Sequence, residues 1–168
     1  MNEENLVRAR LLVFRVGGLA CAAEVDHVRE ILPRLPTTRI PGAPPVVAGL
    51  VNVRGTLVTV VEGWRALGQN PPIAPPLHET AAGSTIVLEL GGGGGGGGGT
   101  GDEARNRKLI GFTVDEVLDM LVVADTTLED RAGLPGVDPT LVRAVGRRHG
   151  ELFIVLNVAA LLGPVLTT

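Results

Sequence analysis

Two polar side chains in an otherwise apolar run, Asn52 and Arg54, offer the clearest binding chemistry in this sequence. They lie between two β-prone stretches, 50–53 and 56–61, and Gly55 directly follows the arginine. This pattern predicts two antiparallel strands joined by a tight turn. The turn would hold the guanidinium of Arg54, with its five N–H donors, at the end of a rigid hairpin. Two interpretations stay open: the arginine contacts a partner, or it only caps its own turn.

Residue types that support catalysis do not form a recognisable constellation. Asp115 and Glu116 are adjacent carboxylates, and on a strand they would point to opposite faces and not converge on one substrate. Ser84 is the only serine and has no Gly-x-Ser-x-Gly setting. With one cysteine and no histidines at metal-ligand spacing, a zinc site is not expected. We therefore expect no catalytic residue, no metal, no cofactor and no enzymatic activity. The three histidines are His27, His78 and His149.

The charge and composition argue against nucleic acid and membranes as binding partners. The net charge of −3 and the isoelectric point near 5.6 give no electrostatic basis for binding nucleic acid or an anionic membrane. No apolar run approaches the roughly 20 residues of a membrane span, so direct membrane insertion is not expected. The first five residues are polar and acidic, unlike a secretory signal. The single cysteine, Cys21, has no internal disulfide partner, and we expect a small buried side chain in a cytoplasmic protein.

The hydrophobic pattern predicts many short strands. Ser84–Leu90 and Lys108–Val114 read as antiparallel partners, and 158–162 as a short closing helix that stops at Gly163 and Pro164. The segment 25–32 has apolar spacing nearer to a helical turn than to a strand. Short strands with frequent turn signals and little helix indicate small β-barrels, and 168 residues could close two of them.

Two segments read as loops. Residues 69–83 are proline-rich and polar, with neither a helical nor a strand period. Nine consecutive glycines, Gly91–Gly99, open a second loop that extends to residue 107. No Gly-Lys-Ser or Gly-Lys-Thr follows the glycines, so a phosphate-binding loop is not supported. We interpret 91–107 as an insertion at a hairpin tip, where extra length costs little closure entropy.

Six segments in order along the chain resemble the CheW-like domain family. The run Asn52-Val53-Arg54-Gly55 resembles the family's Asn-Leu-Arg-Gly signature. The remaining five are similar to its opening strand, its Val-x-x-Val-x-Glu-Ile segment, its proline lead-in, its central strand pair and its closing strand and helix: 12–18, 25–31, 40–44, 110–117 and 144–162. The order and spacing fit along almost the whole chain.

The resemblance implies a mainly β fold in which residues 1–168 form a single domain of two intertwined, SH3-like, five-stranded barrel lobes. It implies a non-catalytic chemotaxis adaptor in the cytoplasm that is recruited to membrane-associated receptor arrays. Its expected partners are the cytoplasmic tip of a methyl-accepting chemoreceptor and the regulatory domain of a CheA-type histidine kinase. An alternative is a stand-alone regulatory domain that binds and modulates the kinase without contacting a receptor.

Transferring the family's functional residues gives a receptor-facing set, and the hairpin-tip position adds Asn52 to it: Val28, Glu30, Asn52, Arg54, Ser84 and Met120. The resemblance defines no kinase-facing residues. The family's Pro-Val-Ile-Asp-Leu run after the signature is altered at 59–63, and the glycine tract is a departure. A cluster of positive charge formed by Arg143, Arg147 and Arg148 is either a solvated face or a docking patch for an acidic surface.

Overall fold

The computed structural model describes residues 8–71, 83–91, 108–130 and 136–166. Within these ranges the chain forms eleven strands and two α-helices, with 3-10 turns at Val25–His27, Asp125–Thr127 and Pro139–Leu141. The strands are β1 (Arg8–Val16), β2 (Leu19–Glu24), β3 (Val28–Pro33), β4 (Val47–Val53), β5 (Thr56–Val61), β6 (Ser84–Leu90), β7 (Lys108–Val114), β8 (Glu116–Ala124), β9 (Glu129–Asp130), β10 (Val142–Arg148) and β11 (Glu151–Leu156). The helices are α1 (Gly63–Ala66) and α2 (Val158–Leu166).

The strands form two sheets, each the basis of one lobe. The first lobe has the order β8-β1-β2-β11-β10-β9, and the second lobe has the order β3-β6-β7-β5-β4. The described part of the chain starts in the first lobe with β1 and β2, builds the second lobe with β3 to β7, and returns to the first with β8 to β11. The expected mainly β, two-lobed fold is confirmed. The first lobe carries a sixth strand, the two-residue β9, beyond the five expected.

Five strands of each lobe follow one pairing pattern. Along β8-β1-β2-β11-β10 and along β3-β6-β7-β5-β4, the successive pairs are antiparallel, antiparallel, parallel and antiparallel. The outer strands β8 and β3 also share an irregularity in register next to β1 and β6, respectively. Positions in one lobe therefore have equivalents in the other. Glu30 pairs with Val87 directly after the irregularity in β3, as Asp119 pairs with Val13 in β8.

Equivalent two-residue turns close the hairpins of both lobes. Arg54 and Gly55 join β4 to β5 with φ angles of 50° and 84°, and His149 and Gly150 join β10 to β11 with 49° and 78°. Positive φ at both central residues is what a type I′ turn requires, and its twist matches that of the flanking strands. The predicted hairpin is confirmed, as is the antiparallel pairing of Ser84–Leu90 with Lys108–Val114.

A shared core joins the two lobes. Phe14 of β1 meets Phe112 of β7 edge to face, with ring centroids 6.1 Å apart and an interplanar angle of 64°. Both rings are fully buried, in one cluster with apolar residues of both sheets and α2. Because few aromatic residues are available, the rest of this cluster is mainly Val, Leu, Ile and Ala, as the composition indicated. A separate small cluster lies inside the first lobe and includes Phe153.

Two glycines allow close approaches that a side chain would block. A Cβ on Gly146 of β10 would lie 2.4 Å from the ring of Phe153, so the missing side chain makes room for that ring. A Cβ on Gly63, at the start of α1, would lie 2.1 Å from the carbonyl oxygen of Thr113. At Gly63 the backbone N–H also donates to the Thr113 hydroxyl over 3.0 Å. These contacts fix β10 against β11 and α1 against β7.

The structure corrects two local predictions. The segment 25–32 contains only a single 3-10 turn, after which Val28–Pro33 is a strand whose exposure alternates residue by residue. Pairing with β6 decides this conformation, and Ile31, which contributed to the helical spacing, is exposed. The closing helix does not stop at Gly163 and Pro164 but continues to Leu166. A proline removes a single N–H donor, and here α2 continues past it for only two residues.

The structure describes only parts of the two predicted loops. Of the proline-rich loop, the structure describes residues 69–71 and 83. Of the predicted insertion at 91–107, it describes Gly91 alone, so the remainder of both segments lies outside the described residues.

In the part of the chain that is described, no helix is long and apolar enough to cross a membrane.

Candidate partner-binding site

An ion pair at the end of the second lobe brings together two residues of the predicted receptor-facing set. Nη1 of Arg54, in the β4–β5 turn, donates to Oε2 of Glu30 on β3 over 3.0 Å. Strands β3 and β4 stand at opposite ends of the sheet order, so this contact closes the sheet on itself. The Arg54 side chain is 80% exposed, whereas that of Glu30 is 22% exposed. The arginine is thus displayed to solvent on a fixed turn.

Asn52 shapes the turn that displays this arginine. Its side-chain Oδ1 accepts a hydrogen bond from the backbone N–H of Gly55 over 2.7 Å. Asparagine commonly stabilises turns by bonding to backbone groups a few residues ahead. The contact holds Arg54 at φ 50°, a region that non-glycine residues seldom adopt. Asn52 therefore acts on the site through the backbone and positions Arg54.

A cleft opens beside the ion pair at the mouth of the second barrel. Its lining combines buried apolar side chains with charged ones. It is lined by Arg29, Glu30, Val53, Arg54, Thr56, Val58, Val87 and Leu109. The second carboxylate oxygen of Glu30, Oε1, is enclosed and has no hydrogen-bond partner among the described residues. Arg29 is held at the rim by Glu89, with 3.4 Å between Nη1 and Oε2.

The first lobe also has an ion pair at Asp119, the position equivalent to Glu30, but its arginine, Arg148, lies one residue before the turn position that corresponds to Arg54. Nε of Arg148, at the end of β10, donates to Oδ2 of Asp119 on β8 over 3.2 Å. The other oxygen, Oδ1, accepts from the backbone N–H of Met120 over 2.8 Å. The Arg148 hydrogen bond, and next that N–H, lower the pKa of Asp119 below its usual value. Here both carboxylate oxygens are satisfied, and Arg148 is only 23% exposed.

The remaining members of the predicted set lie apart from the ion pair. Val28 starts β3, two residues before Glu30, and packs against the shared core. Ser84 starts β6, three residues from the position that faces Glu30, which is about 10 Å at the rise of a strand. Met120 lies in the first lobe, opposite Leu12, and is 60% exposed. Of the six, the structure brings Glu30, Asn52 and Arg54 together, and the role of all six stays a prediction.

Exposed apolar residues near these positions were missed by the sequence reasoning. Leu57 is 67% exposed one residue into β5, just after the turn that carries Arg54. Leu152 is at the equivalent position of β11 and is also exposed. Ile31 is exposed directly after Glu30, as Met120 is after Asp119. An apolar residue inside a β-prone run has no local signal that tells a core position from a surface one.

Several charged residues named from the sequence have structural partners. Arg143 pairs with Glu24, and Arg148 with Asp119, so two of the three clustered arginines form internal ion pairs. Asp115 accepts the backbone N–H of Gly17 over 2.7 Å, which anchors the β1–β2 turn. Among the described residues, no group of three His, Cys, Asp or Glu side chains is placed to hold a metal ion.

Cys21 lies fully buried in the shared core. Burial raises the pKa of its thiol to about 12, because the thiolate would lose its hydration. The thiolate is the nucleophilic form, so this cysteine is chemically inert in the folded protein.

We therefore expect Cys21 to resist thiol reagents at pH 8. With a pKa of about 12, almost none of the buried thiol is ionised at that pH. The measurement is the stoichiometry of labelling by a chromogenic disulfide reagent in native buffer and in denaturant, with glutathione as the reactive control. One equivalent should appear only after unfolding, and rapid labelling of the native protein would show that Cys21 is accessible.

Comparison with known proteins places the whole fold in one family. The model of the CheW-like domain matches residues 10–164. A probable chemotaxis protein CheW of Rhizobium etli is 29% identical over 119 residues, which cover 71% of this chain and 64% of that relative. The chemotaxis protein CheW of Bacillus subtilis is 22% identical over 163 residues, covering 96% of this chain and 92% of its own length.

A solved structure shows the same fold. The crystal structure of the scaffolding protein TtCheW from Thermoanaerobacter tengcongensis superposes with a TM-score of 0.74 at 16% identity, covering 96% of this chain and 92% of that one. The match to the Rhizobium etli relative spans under two thirds of that protein, whereas the family model spans nearly all of this chain. The two-lobed architecture, the Asn52–Gly55 turn and the matched length agree, and the chain belongs to the CheW-like domain family.

Proposed function

We propose that this chain is a non-catalytic chemotaxis adaptor that couples methyl-accepting chemoreceptors to a CheA-type histidine kinase. Its partners are the helical-hairpin tip of the receptor and the regulatory domain of the kinase. It works in the cytoplasm, at receptor arrays on the membrane. The names of its relatives, which are chemotaxis proteins and a scaffolding protein, support this proposal.

One structural observation carries the receptor half of the proposal. Arg54 is fixed by a type I′ turn, is tethered to Glu30 at 3.0 Å, and still leaves 80% of its side chain exposed. Because the turn fixes its backbone and Glu30 tethers its side chain, the exposed guanidinium has less conformational freedom to lose on binding a partner. A planar guanidinium with most of its donors exposed suits directional contacts with carboxylates or backbone carbonyls of a partner.

Exposed apolar residues support contacts with protein partners. Ile31 follows Glu30 along β3 and Leu57 lies two residues after the Arg54–Gly55 turn, and Met120 and Leu152 hold equivalent positions in the first lobe. Apolar anchors within a polar rim are the usual anatomy of a protein–protein interface. Because each lobe displays such residues, the chain has two surfaces with which to hold two partners together. Signalling then proceeds through relative placement of the partners, without chemistry in the adaptor.

Replacing Arg54 by alanine is expected to weaken receptor binding without unfolding the protein. The side chain is largely solvated, so the stability change should stay within about 0.5 kcal/mol. Truncation of a central interface arginine typically costs 2 kcal/mol or more, so affinity should fall by roughly thirtyfold. The measurement is titration with a soluble receptor fragment that carries the hairpin tip, together with thermal unfolding of each variant.

Arg39→Ala is the matched control, because it removes another exposed arginine of the same lobe. It should bind the fragment like the wild type. A collapse of the melting temperature in Arg54→Ala, with unchanged affinity of the remaining folded protein, would show that Arg54 only supports its own turn. Kinase binding without any receptor binding by the wild type would favour the stand-alone kinase modulator.

A further inference from the structure

Only one oxygen of the Glu30 carboxylate accepts a hydrogen bond from the described residues, which distinguishes Glu30 from Asp119, its equivalent in the first lobe. Oε2 accepts from Arg54, but Oε1 is enclosed and accepts nothing from the described residues. In Asp119 both oxygens accept, one from Arg148 and one from the backbone N–H of Met120. A buried acceptor that has lost water without gaining a donor destabilises the fold.

Barrel closure does not explain the unsatisfied oxygen. Asp119 and Arg148 close the first lobe from equivalent strands with a shorter side chain and leave no oxygen unpaired. The longer Glu30 side chain lines a cleft together with the buried Val58 and Val87. The extra acceptor is therefore a feature that the fold tolerates and does not require.

We propose that Oε1 of Glu30 is a receptor-binding atom. In the complex it accepts a hydrogen bond from an uncharged donor, a side-chain amide N–H of the hairpin tip. This inference rests on the proposed function and specifies the chemistry of the same site. Binding then supplies a donor for an oxygen that has none among the described residues of the free protein.

Access to Oε1 requires side chains around the carboxylate to shift, and Arg54 is one that can. The atom is enclosed in the free protein, and Arg54 is bonded to the same carboxylate. Because Arg54 is 80% exposed, its guanidinium can rotate away without disturbing packed neighbours. Its further N–H donors can then engage a carboxylate or carbonyl of the partner while the amide bonds to Oε1.

The charges around the cleft select an uncharged donor. Two cations, Arg29 and Arg54, stand at the mouth beside one carboxylate, Glu30. Because Glu30 is already paired with Arg54, a lysine or arginine of the partner would add a third cation to a cleft lined by one carboxylate, and a partner carboxylate at this point would meet Glu30. An asparagine or glutamine amide offers N–H donors without either repulsion.

The test is a double-mutant cycle between Glu30→Met and Arg54→Ala. Methionine keeps the length of the side chain and removes both acceptors. Binding of a soluble receptor fragment with the hairpin tip is measured for the wild type, both single variants and the double variant. If Glu30 contacts the receptor directly, the double variant binds at least about tenfold more weakly than Arg54→Ala alone, the usual effect of losing a hydrogen bond to a charged group.

If Glu30 acts only by holding Arg54, its replacement has no further effect once Arg54 is gone, and that result overturns the inference. Absence of binding by the wild type would instead overturn the proposed function itself. The donor is located by replacing each asparagine and glutamine of the hairpin tip with alanine. One replacement should have no added effect in the Glu30→Met background, and full additivity of all of them would contradict an amide donor.

Stability provides an independent readout with a matched control. Glu30→Met should keep or raise the melting temperature, because it removes an unsatisfied buried oxygen. Asp119→Met should lower the melting temperature, because it leaves the half-buried Arg148 and a backbone N–H without their acceptor. A drop for Glu30→Met as large as that for Asp119→Met would show that Glu30 serves the fold, contrary to the inference.

Discussion

Replacing Phe112 by alanine is expected to destabilise the protein by about 3–5 kcal/mol, the usual cost of truncating a buried aromatic residue. Phe112 is fully buried in the shared core, meets Phe14 of the other lobe, and lies beside Gly63 at the start of α1. A domain is typically stable by only about 5–15 kcal/mol, so this single change removes a large share of the total. Chemical denaturation of wild type and variant gives the difference.

Leu57→Ala is the matched control for this prediction. It also truncates a large apolar side chain, but one that is 67% exposed. We expect a stability change within about 0.5 kcal/mol, the range for surface substitutions. Equal destabilisation by the two variants would contradict the shared core as the contact that holds the lobes together. Separate unfolding transitions for the two lobes in the wild type would contradict it as well.

Local features of the fold could be predicted from the sequence because local chemistry determines them. The β4–β5 hairpin has a glycine at the second turn position and an asparagine that bonds to it, and both signals are visible in the run 52–55. The pairing of β6 with β7 followed from two β-prone runs around a loop. In the segment 25–32 the same reasoning failed, because pairing with β6 overrode a misleading apolar spacing.

Long-range features could not be derived from local pattern. The parallel pairs of β5 with β7 and of β2 with β11 join segments separated by whole strands and loops. The family resemblance, not periodicity, implied the two-lobed arrangement. Likewise, nothing in the spacing of Glu30 and Arg54 shows that they meet at 3.0 Å. Their contact arises because β3 and the β4–β5 turn come together when the sheet closes.

Only the structure shows which polar atoms of the site have hydrogen-bond partners and which apolar side chains are exposed. The family resemblance predicted Glu30 as a member of the receptor-facing set, but it carries no information on which of its oxygens have hydrogen-bond donors. The unpaired Oε1 and the fully paired Asp119 are side-chain facts that depend on a few ångströms of geometry. The same holds for Leu57, whose exposure depends on its place just after the turn.

Adding this protein to its cognate kinase and receptor is expected to raise kinase autophosphorylation by at least about tenfold. Placement alone can deliver effects of this size, because holding reactants in order contributes up to about 7–11 kcal/mol in ideal cases. Only about 1.4 kcal/mol of that contribution gives a tenfold rate. The protein alone should show no ATP hydrolysis, kinase or phosphatase activity, since the proposed adaptor acts only by positioning its partners.

The most direct test is kinase autophosphorylation with receptor-bearing membranes, measured with and without this protein. The adaptor function predicts strong stimulation by the wild type and by Arg39→Ala, and a much weaker effect of Arg54→Ala at equal concentration. Stimulation should also vanish when the membranes lack receptor. No stimulation by the wild type, with kinase binding intact, would contradict the adaptor function and favour a modulator that works without the receptor.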